Sequence, residues 1–202
     1  MSRENVELDQ LIGSRIAKRD VMDVNEFFTP RKRGIAPRMA ILFSNPTERV
    51  AEYGVDGYKC FDQAQATAEF SHLGYEVVFE EELTERPGRL DPYKIVDAAG
   101  ISALYPGSAD VLYEWVKKGG TLELINTRLD VNEYGGKEQD AVAGAMKSGE
   151  TLTLGNGKIV VADLANDEYA DFLVGVCAAE GIGQTCTMVS EESGKAATAI
   201  EA

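Results

Sequence analysis

Residues 90–125, LDPYKIVDAAGISALYPGSADVLYEWVKKGGTLELI, predict a strand, a helix and a second strand in succession. The apolar run at 93–99 follows a proline-containing turn and predicts a strand that is covered on both faces. The run at 121–125 predicts the second strand. Because strands joined through a helix lie parallel and their crossover is almost always right-handed, this unit predicts a parallel sheet.

The helix between these two strands carries its own start and stop signals. Ser108 is the predicted N-cap, and Asp110 places a negative charge in the first turn, where the helix dipole favours it. Gly119 supplies the left-handed residue that ends the helix, and Gly120 frees the chain to turn into the next strand. Four apolar residues between these signals form one stripe that can pack on a sheet: Val111, Leu112, Trp115 and Val116.

Patterns on either side of this unit predict further strands and helices. We predict strands at 39–43, 75–79 and 184–190, helices at 58–73 and 138–146, a further helix with Asn166 as its N-cap, and a hairpin of 151–154 and 158–162. Asn156-Gly157 is the turn signal of the hairpin. The succession predicts an α/β fold with a mostly parallel sheet over residues 35–182. An N-terminal helical and basic extension (1–34) precedes it, and a C-terminal strand and tail (183–202) follow it.

The composition of the 202-residue chain excludes several classes of partner. The formal net charge of −14 argues against binding to nucleic acid or to an anionic membrane surface. The basic run at 31–33 lacks the interleaved aromatic residues of a nucleic-acid site, and we interpret it as a linker or docking strip. No stretch approaches the roughly 18 apolar residues of a membrane span. The polar N-terminus and the three scattered cysteines predict a cytoplasmic protein.

Four polar residues lie near the predicted carboxyl ends of strands, where open parallel sheets usually bind ligands. They are Ser44, Asn45, Asp97 and Asn126. Their hydroxyl, amide and carboxyl groups could hydrogen-bond a small polar ligand. The structural alternative is that Ser44 and Asn45 cap the adjacent turn, which we favour, and that Asp97 caps the next loop. The neighbouring acids at 80–82 predict a solvated strand end, because adjacent side chains in an extended segment alternate in direction.

The residues needed for catalysis by common mechanisms are scarce in this sequence. His72 is the single histidine, which argues against a catalytic triad and against a multi-histidine metal site. Cys60 and Cys177 fall within predicted helices and are interpreted as small apolar residues. No glycine-rich phosphate loop follows a strand. We therefore predict no catalytic residue, no metal site and no cofactor.

Several segments together resemble a known family. They are MAILFSNPTERVAEYG (39–54), YEVVFEEEL (75–83), LDPYKIVDAAG (90–100), ADVLYEWVKKGGTLELI (109–125) and GNGKIVVA (155–162). This succession resembles the glutamine-amidotransferase-like domain attached to certain glycoside hydrolases, above all the β-galactosidase trimerisation domain of glycoside hydrolase family 42. The resemblance covers 36–182 and implies a flavodoxin-like, three-layer fold.

The resemblance also implies which activity is missing. Active class I amidotransferases carry a cysteine in the turn after the strand that corresponds to 121–125, and a His-Glu pair later in the chain. This sequence has Asn126-Thr127-Arg128 at that turn and no histidine after His72, so the resemblance implies an inactive relative. In the hydrolases the domain follows a TIM barrel that holds the catalytic carboxylates. Such a barrel needs roughly 250 residues, so it would lie outside this sequence.

These expectations lead to one favoured function and two alternatives. The favoured function is a non-catalytic oligomerisation or accessory domain, forming a homotrimer or serving a glycoside hydrolase barrel, either as a fragment of a larger hydrolase or as a stand-alone descendant. The first alternative is a sugar-binding flavodoxin-like domain, or a trehalose-utilisation-type protein, that uses the crevice near the four polar residues. The second is an active amidotransferase that depends on Cys60.

Overall fold

The computed structural model describes residues 36–50, 57–137 and 140–184. In these ranges a sheet of six strands is joined by helices and short loops. The elements in chain order are β1 (Met39–Phe43), α1 (Asn45–Val50), α2 (Gly57–Phe70), β2 (Tyr75–Phe79), α3 (Glu81–Glu85), β3 (Ile95–Asp97), α4 (Ser108–Lys117), β4 (Thr121–Ile125), a 3₁₀ turn (Ala143–Ala145), β5 (Thr151–Leu154), β6 (Gly157–Ala162) and α5 (Asn166–Ala179).

The strands lie in the order β2-β1-β3-β4-β6-β5. Five of them are parallel, and β5 pairs antiparallel with β6. The chain leaves β1 towards β2 on one side and reaches β3 on the other side, so the order reverses next to β1. The predicted α/β fold with a mostly parallel sheet is confirmed.

Both faces of the sheet are covered by apolar side chains, which makes the fold three-layered. Along β1, Ala40 and Leu42 face the cluster that contains Leu112 and Trp115 of α4. Met39 and Ile41 face the second cluster, on the opposite side of the sheet. This cluster contains side chains of α2 and α5: Ala64, Ala68, Tyr169, Leu173 and Cys177. This alternation follows from the two-residue period of a strand.

The unit of β3, α4 and β4 forms as predicted, with two corrections. The first strand is shorter than 93–99 and spans Ile95–Asp97. Ser108 is the first residue of α4, and the N-cap is Gly107. The loop enters the helix with φ of +88° at Gly107, a value that glycine adopts without steric cost.

Two glycines are required by close packing beside α4. A Cβ atom on Gly120 would lie 2.5 Å from the Trp115 ring. Glycine is therefore required at this position because the indole packs against it, and not because the chain needs a freer backbone. The indole is fixed on its other side, where Trp115 Nε1 donates to the Leu90 carbonyl oxygen at 3.0 Å. A Cβ atom on Gly157 would lie 2.1 Å from the Val116 carbonyl oxygen.

The hairpin of β5 and β6 forms, but its turn is displaced by one residue. Leu154 pairs with Gly157, so the central residues are Gly155 and Asn156 rather than Asn156 and Gly157. Gly155 has φ of +62°, and Asn156 has no positive φ. The pairing with Leu154 makes Gly157 the first residue of β6.

Other predicted elements are corrected by local hydrogen bonds. Instead of a helix at 138–146, the described part of that segment holds only the 3₁₀ turn, because Asp140 Oδ1 accepts the backbone N–H groups of Val142 and Ala143 at 2.8 and 2.7 Å. The N-cap of α5 is Ala165 rather than Asn166, and its N–H donates to Glu168 Oε2 at 3.0 Å.

The second helix ends three residues before its predicted end, at Phe70. His72 then has φ of +54° and leads the chain away from the helix axis. Two predicted elements lie outside the described residues: the N-terminal extension and all but the first residue of the strand at 184–190. The basic run at 31–33 lies outside them as well.

Candidate functional site

The reversal of strand order next to β1 is the usual position of a ligand crevice, but here protein groups fill it. Ser44, which follows β1, is 3% exposed, and its Oγ lies 2.7 Å from Glu80 Oε2 and 2.8 Å from the Ala103 carbonyl oxygen. Thr47 Oγ1 donates to the same carbonyl at 2.8 Å and accepts the Ala103 N–H at 3.1 Å. The loop after β3 is therefore held over the ends of β1 and β2.

Glu80 corrects the prediction of a solvated acidic strand end. Its side chain is fully buried after β2 and accepts hydrogen bonds from Ser44 and from the Tyr105 N–H. Burial raises the pKa of the Glu80 carboxyl, against the lowering effect of these hydrogen bonds. Glu81, next in sequence, accepts from Asn45 Nδ2 at 2.5 Å. Ser44 and Asn45 thus bind neighbouring segments of the chain.

Asp97 lies in the core between the sheet and α5, away from the crevice. It is fully buried, and Tyr169 Oη donates a hydrogen bond to its Oδ2. Its register partner on β4 is Glu123, which is also fully buried and whose two carboxyl oxygens have no hydrogen-bond partner. Burial raises the pKa of both carboxyls, and the charge of Asp97 raises that of Glu123 further. Sequence analysis singled out Asp97 and missed Glu123.

Asn126 stands at the end of β4 with φ of +55°, a left-handed conformation that few residues other than glycine adopt. Its side chain is tied to one backbone position. Asn126 Nδ2 donates to the Leu164 carbonyl oxygen at 3.1 Å, and Oδ1 accepts the Leu164 N–H at 2.8 Å. The amide therefore joins the ends of β4 and β6.

A solvent-open cavity of about 340 Å³ adjoins Asn126, and we name it the β4 crevice. Its principal lining residues are Gly100, Ser102, Asn126, Arg128, Asp130 and Asp163. Arg128 forms a two-pronged ion pair with Asp163, with N–O distances of 2.8 and 3.1 Å. Of the four residues predicted as a ligand site, only Asn126 lines this crevice. Ser44 and Asn45 lie at the filled crevice near β1, and Asp97 lies in the core.

The sequence matches no protein-family model and no curated protein sequence. The structure, however, matches a β-galactosidase from Bacillus circulans sp. alkalophilus, with a TM-score of 0.60 and 12% identity over 75% of this chain and 32% of that one. A GH42 β-galactosidase from G. stearothermophilus gives 0.60 and 12% over 78% and 32%. An exo-carrageenase GH42 from Bacteroides ovatus gives 0.50 and 17% over 79% and 20%. These proteins share its fold.

The chain spans about a third of the length of the β-galactosidases that it matches. None of the helices in the described ranges is long and apolar enough to cross a bilayer. The described residues also contain no group of three or more acidic, histidine or cysteine side chains placed to hold a metal ion.

Among the described residues, neither of the two cysteines nor the histidine lines the β4 crevice. Cys177 is fully buried in α5, with its Sγ 3.6 Å from Met39 Sδ, and burial raises the pKa of its thiol to about 12. Cys60 lies on α2, and His72 follows the same helix. A thiol held in its neutral form is a poor nucleophile, so Cys177 has the character of a core residue.

Proposed function

We propose that this chain is a non-catalytic accessory domain of a carbohydrate-active enzyme, akin to the trimerisation domain of family 42 β-galactosidases. The observation that carries the proposal is the presence of Asn126 in the turn after β4. Asn126 occupies the position where active class I amidotransferases carry a cysteine, and its backbone is left-handed. Its amide is engaged with the Leu164 backbone through two hydrogen bonds and supplies no nucleophile.

The partial overlap with larger enzymes supports an accessory role. The β-galactosidases that share the fold are about three times as long as the matched region, so most of each lies outside it. We propose that residues 35–182 are the accessory domain and that 1–34 connect it to a preceding segment. The chain would then act by assembling into a homotrimer or by docking to a hydrolase barrel.

The exposed part of β2 offers a surface for such assembly. β2 is one edge of the described sheet, and edge strands carry unpaired backbone groups that can pair with another chain. Phe79, at the end of β2, is 49% exposed and packs edge-on against Phe43 at 5.5 Å between ring centroids. We propose that a second copy covers Phe79.

Two measurements on the purified chain test the proposal. We expect no glutamine hydrolysis above background in a glutaminase assay. Measurable turnover that is abolished by Cys60→Ala would contradict the non-catalytic role. Size-exclusion chromatography with light scattering should give a mass above that of one chain. A strictly monomeric chain at high concentration, with no hydrolase partner bound, would contradict the assembly role.

A further inference from the structure

The β4 crevice lies where three strands of the sheet end. Gly100 follows β3, Asn126 follows β4 and Asp163 follows β6, and all three residues line the crevice. Its volume of about 340 Å³ lies within the usual range of small-molecule sites. The crevice near β1 is filled by Ser44 and the loop after β3, whereas the β4 crevice is open to solvent.

Ser102 provides a second, independent sign of a ligand. It lines the crevice and is 5% exposed, and its Oγ is buried without a hydrogen-bond partner. Its backbone carbonyl is already engaged by the Val131 N–H at 3.1 Å. Buried hydroxyl groups in folded proteins nearly always have a partner, because an unsatisfied one is costly. A ligand hydroxyl in the crevice would supply the missing hydrogen bond.

The charged groups of the crevice restrict the chemistry of that ligand. Arg128 is paired with Asp163, and it also donates to the carbonyl oxygens of Thr127 and Met146 at 2.6 and 3.2 Å. Its guanidinium is therefore largely committed and is poorly placed to bind a phosphate or carboxylate. Asp130 and Asp163 are exposed and present carboxylate oxygens, which accept hydrogen bonds from neighbouring hydroxyl groups. With one arginine and two aspartates, the crevice repels anions.

We propose that the β4 crevice binds a neutral, hydroxyl-rich molecule of about the size of a monosaccharide. Asp130 and Asp163 accept hydrogen bonds from its hydroxyl groups, and Ser102 Oγ exchanges a hydrogen bond with one of them. Arg128 holds Asp163 in position. This binding site is independent of the assembly role, because it requires no second copy of the chain.

The test is an NMR titration of the ¹⁵N-labelled full chain with D-galactose, with D-glucose and with inorganic phosphate. We expect at least one of the sugars to shift the amide signals of Ser102, Asn126 and Asp163 in a saturable way, and we expect phosphate to leave them unchanged. The absence of saturable shifts at these amides with either sugar at about 0.1 M, far above a millimolar dissociation constant, would overturn the proposal. Binding of phosphate alone at these amides would overturn the assigned chemistry.

Ser102→Ala separates a binding role from a structural one. The substitution removes a hydroxyl group without a partner, so the melting temperature should stay the same or rise. The dissociation constant of the bound sugar should increase by roughly fivefold, the effect of one lost hydrogen bond. Thr153→Ala, which removes an exposed hydroxyl on β5, is the control and should bind as the wild type does. Unchanged affinity in Ser102→Ala would contradict the proposal.

Discussion

Glu123 is the residue whose environment departs most from what its type prefers. Both of its carboxyl oxygens are buried without a hydrogen-bond partner, next to the buried Asp97. Lys158 lowers the pKa of Glu123 by its charge, but it is itself paired with Glu180 at 2.7 Å. Desolvation therefore dominates, and the charged form of Glu123 destabilises the folded state.

We expect Glu123→Gln to stabilise the protein at pH 7, on the order of 1–3 kcal/mol, because the amide carries no charge to desolvate. Between the unfolded pKa of about 4.3 and the raised folded pKa, the folded chain binds more protons than the unfolded chain. The contribution of Glu123 to the free energy of unfolding therefore falls as pH rises through this window. The advantage of the variant should shrink towards pH 4, as measured by urea unfolding.

The matched control for this charge removal is Glu85→Gln on the exposed end of α3. We expect it to change stability little at either pH. A Glu123→Gln protein that is less stable than the wild type at pH 7 would show that the carboxylate is favourably solvated in the fold.

Thr47 is a second residue whose role depends on paired hydrogen bonds. Its hydroxyl both donates to and accepts from the backbone of Ala103. Thr47→Val keeps the shape but leaves the buried Ala103 N–H without this acceptor and removes one of the two hydroxyl donors to the Ala103 carbonyl, so we expect a loss of about 1–3 kcal/mol in urea unfolding. Thr47→Ser retains the hydroxyl and should lose much less. Equal losses in both variants would contradict the hydrogen-bonding role.

The residues that sequence analysis missed share one physical cause. In β4 the alternation of leucines around Glu123 indicates that its side chain lies on the opposite face from theirs. It does not indicate that α5 covers that face. Likewise, Glu80 follows a strand among other acids, and only the loop after β3, folded back over β1, buries it. Both carboxyl groups are buried by segments that are distant in the sequence, and the local sequence pattern does not predict such packing.

At the scale of elements, the contact between α4 and the start of β4 depends on a missing side chain. We expect Gly120→Ala to destabilise the protein by about 1–3 kcal/mol, because its Cβ atom would overlap the Trp115 ring. Gly175→Ala is the matched control within α5. No atom lies within 4 Å of its added Cβ, so we expect a gain of about 0.5–1 kcal/mol from higher helix propensity. Thermal unfolding followed by circular dichroism measures both.

A Gly120→Ala protein as stable as the wild type would contradict the close contact between Gly120 and Trp115.

The elements themselves were largely predictable from sequence. The strands at 39–43, 75–79 and 121–125 are short apolar runs, and such runs need little tertiary information to be recognised. The caps at Gly107 and Ala165 and the turn at Gly155 were missed. At each position a neighbouring residue has the stronger preference for a cap or a turn, and the sequence prediction chose that neighbour.

At the scale of the whole molecule, assembly depends on surfaces that the described fold leaves open. We expect Phe79→Ser to lower the solution mass towards that of a monomer, because it removes a half-exposed aromatic ring from the end of an edge strand. Tyr134→Ser changes a side chain that is 84% exposed in the loop after β4, and it should leave the mass unchanged. Equal masses for the wild type and Phe79→Ser would exclude Phe79 from the interface.

The solution molar mass of the wild-type chain tests the assembly role most directly. Sedimentation equilibrium over a range of concentrations should approach three times 21.9 kDa as the concentration rises. A mass of 21.9 kDa at every concentration, with no binding to a hydrolase barrel, would contradict the account.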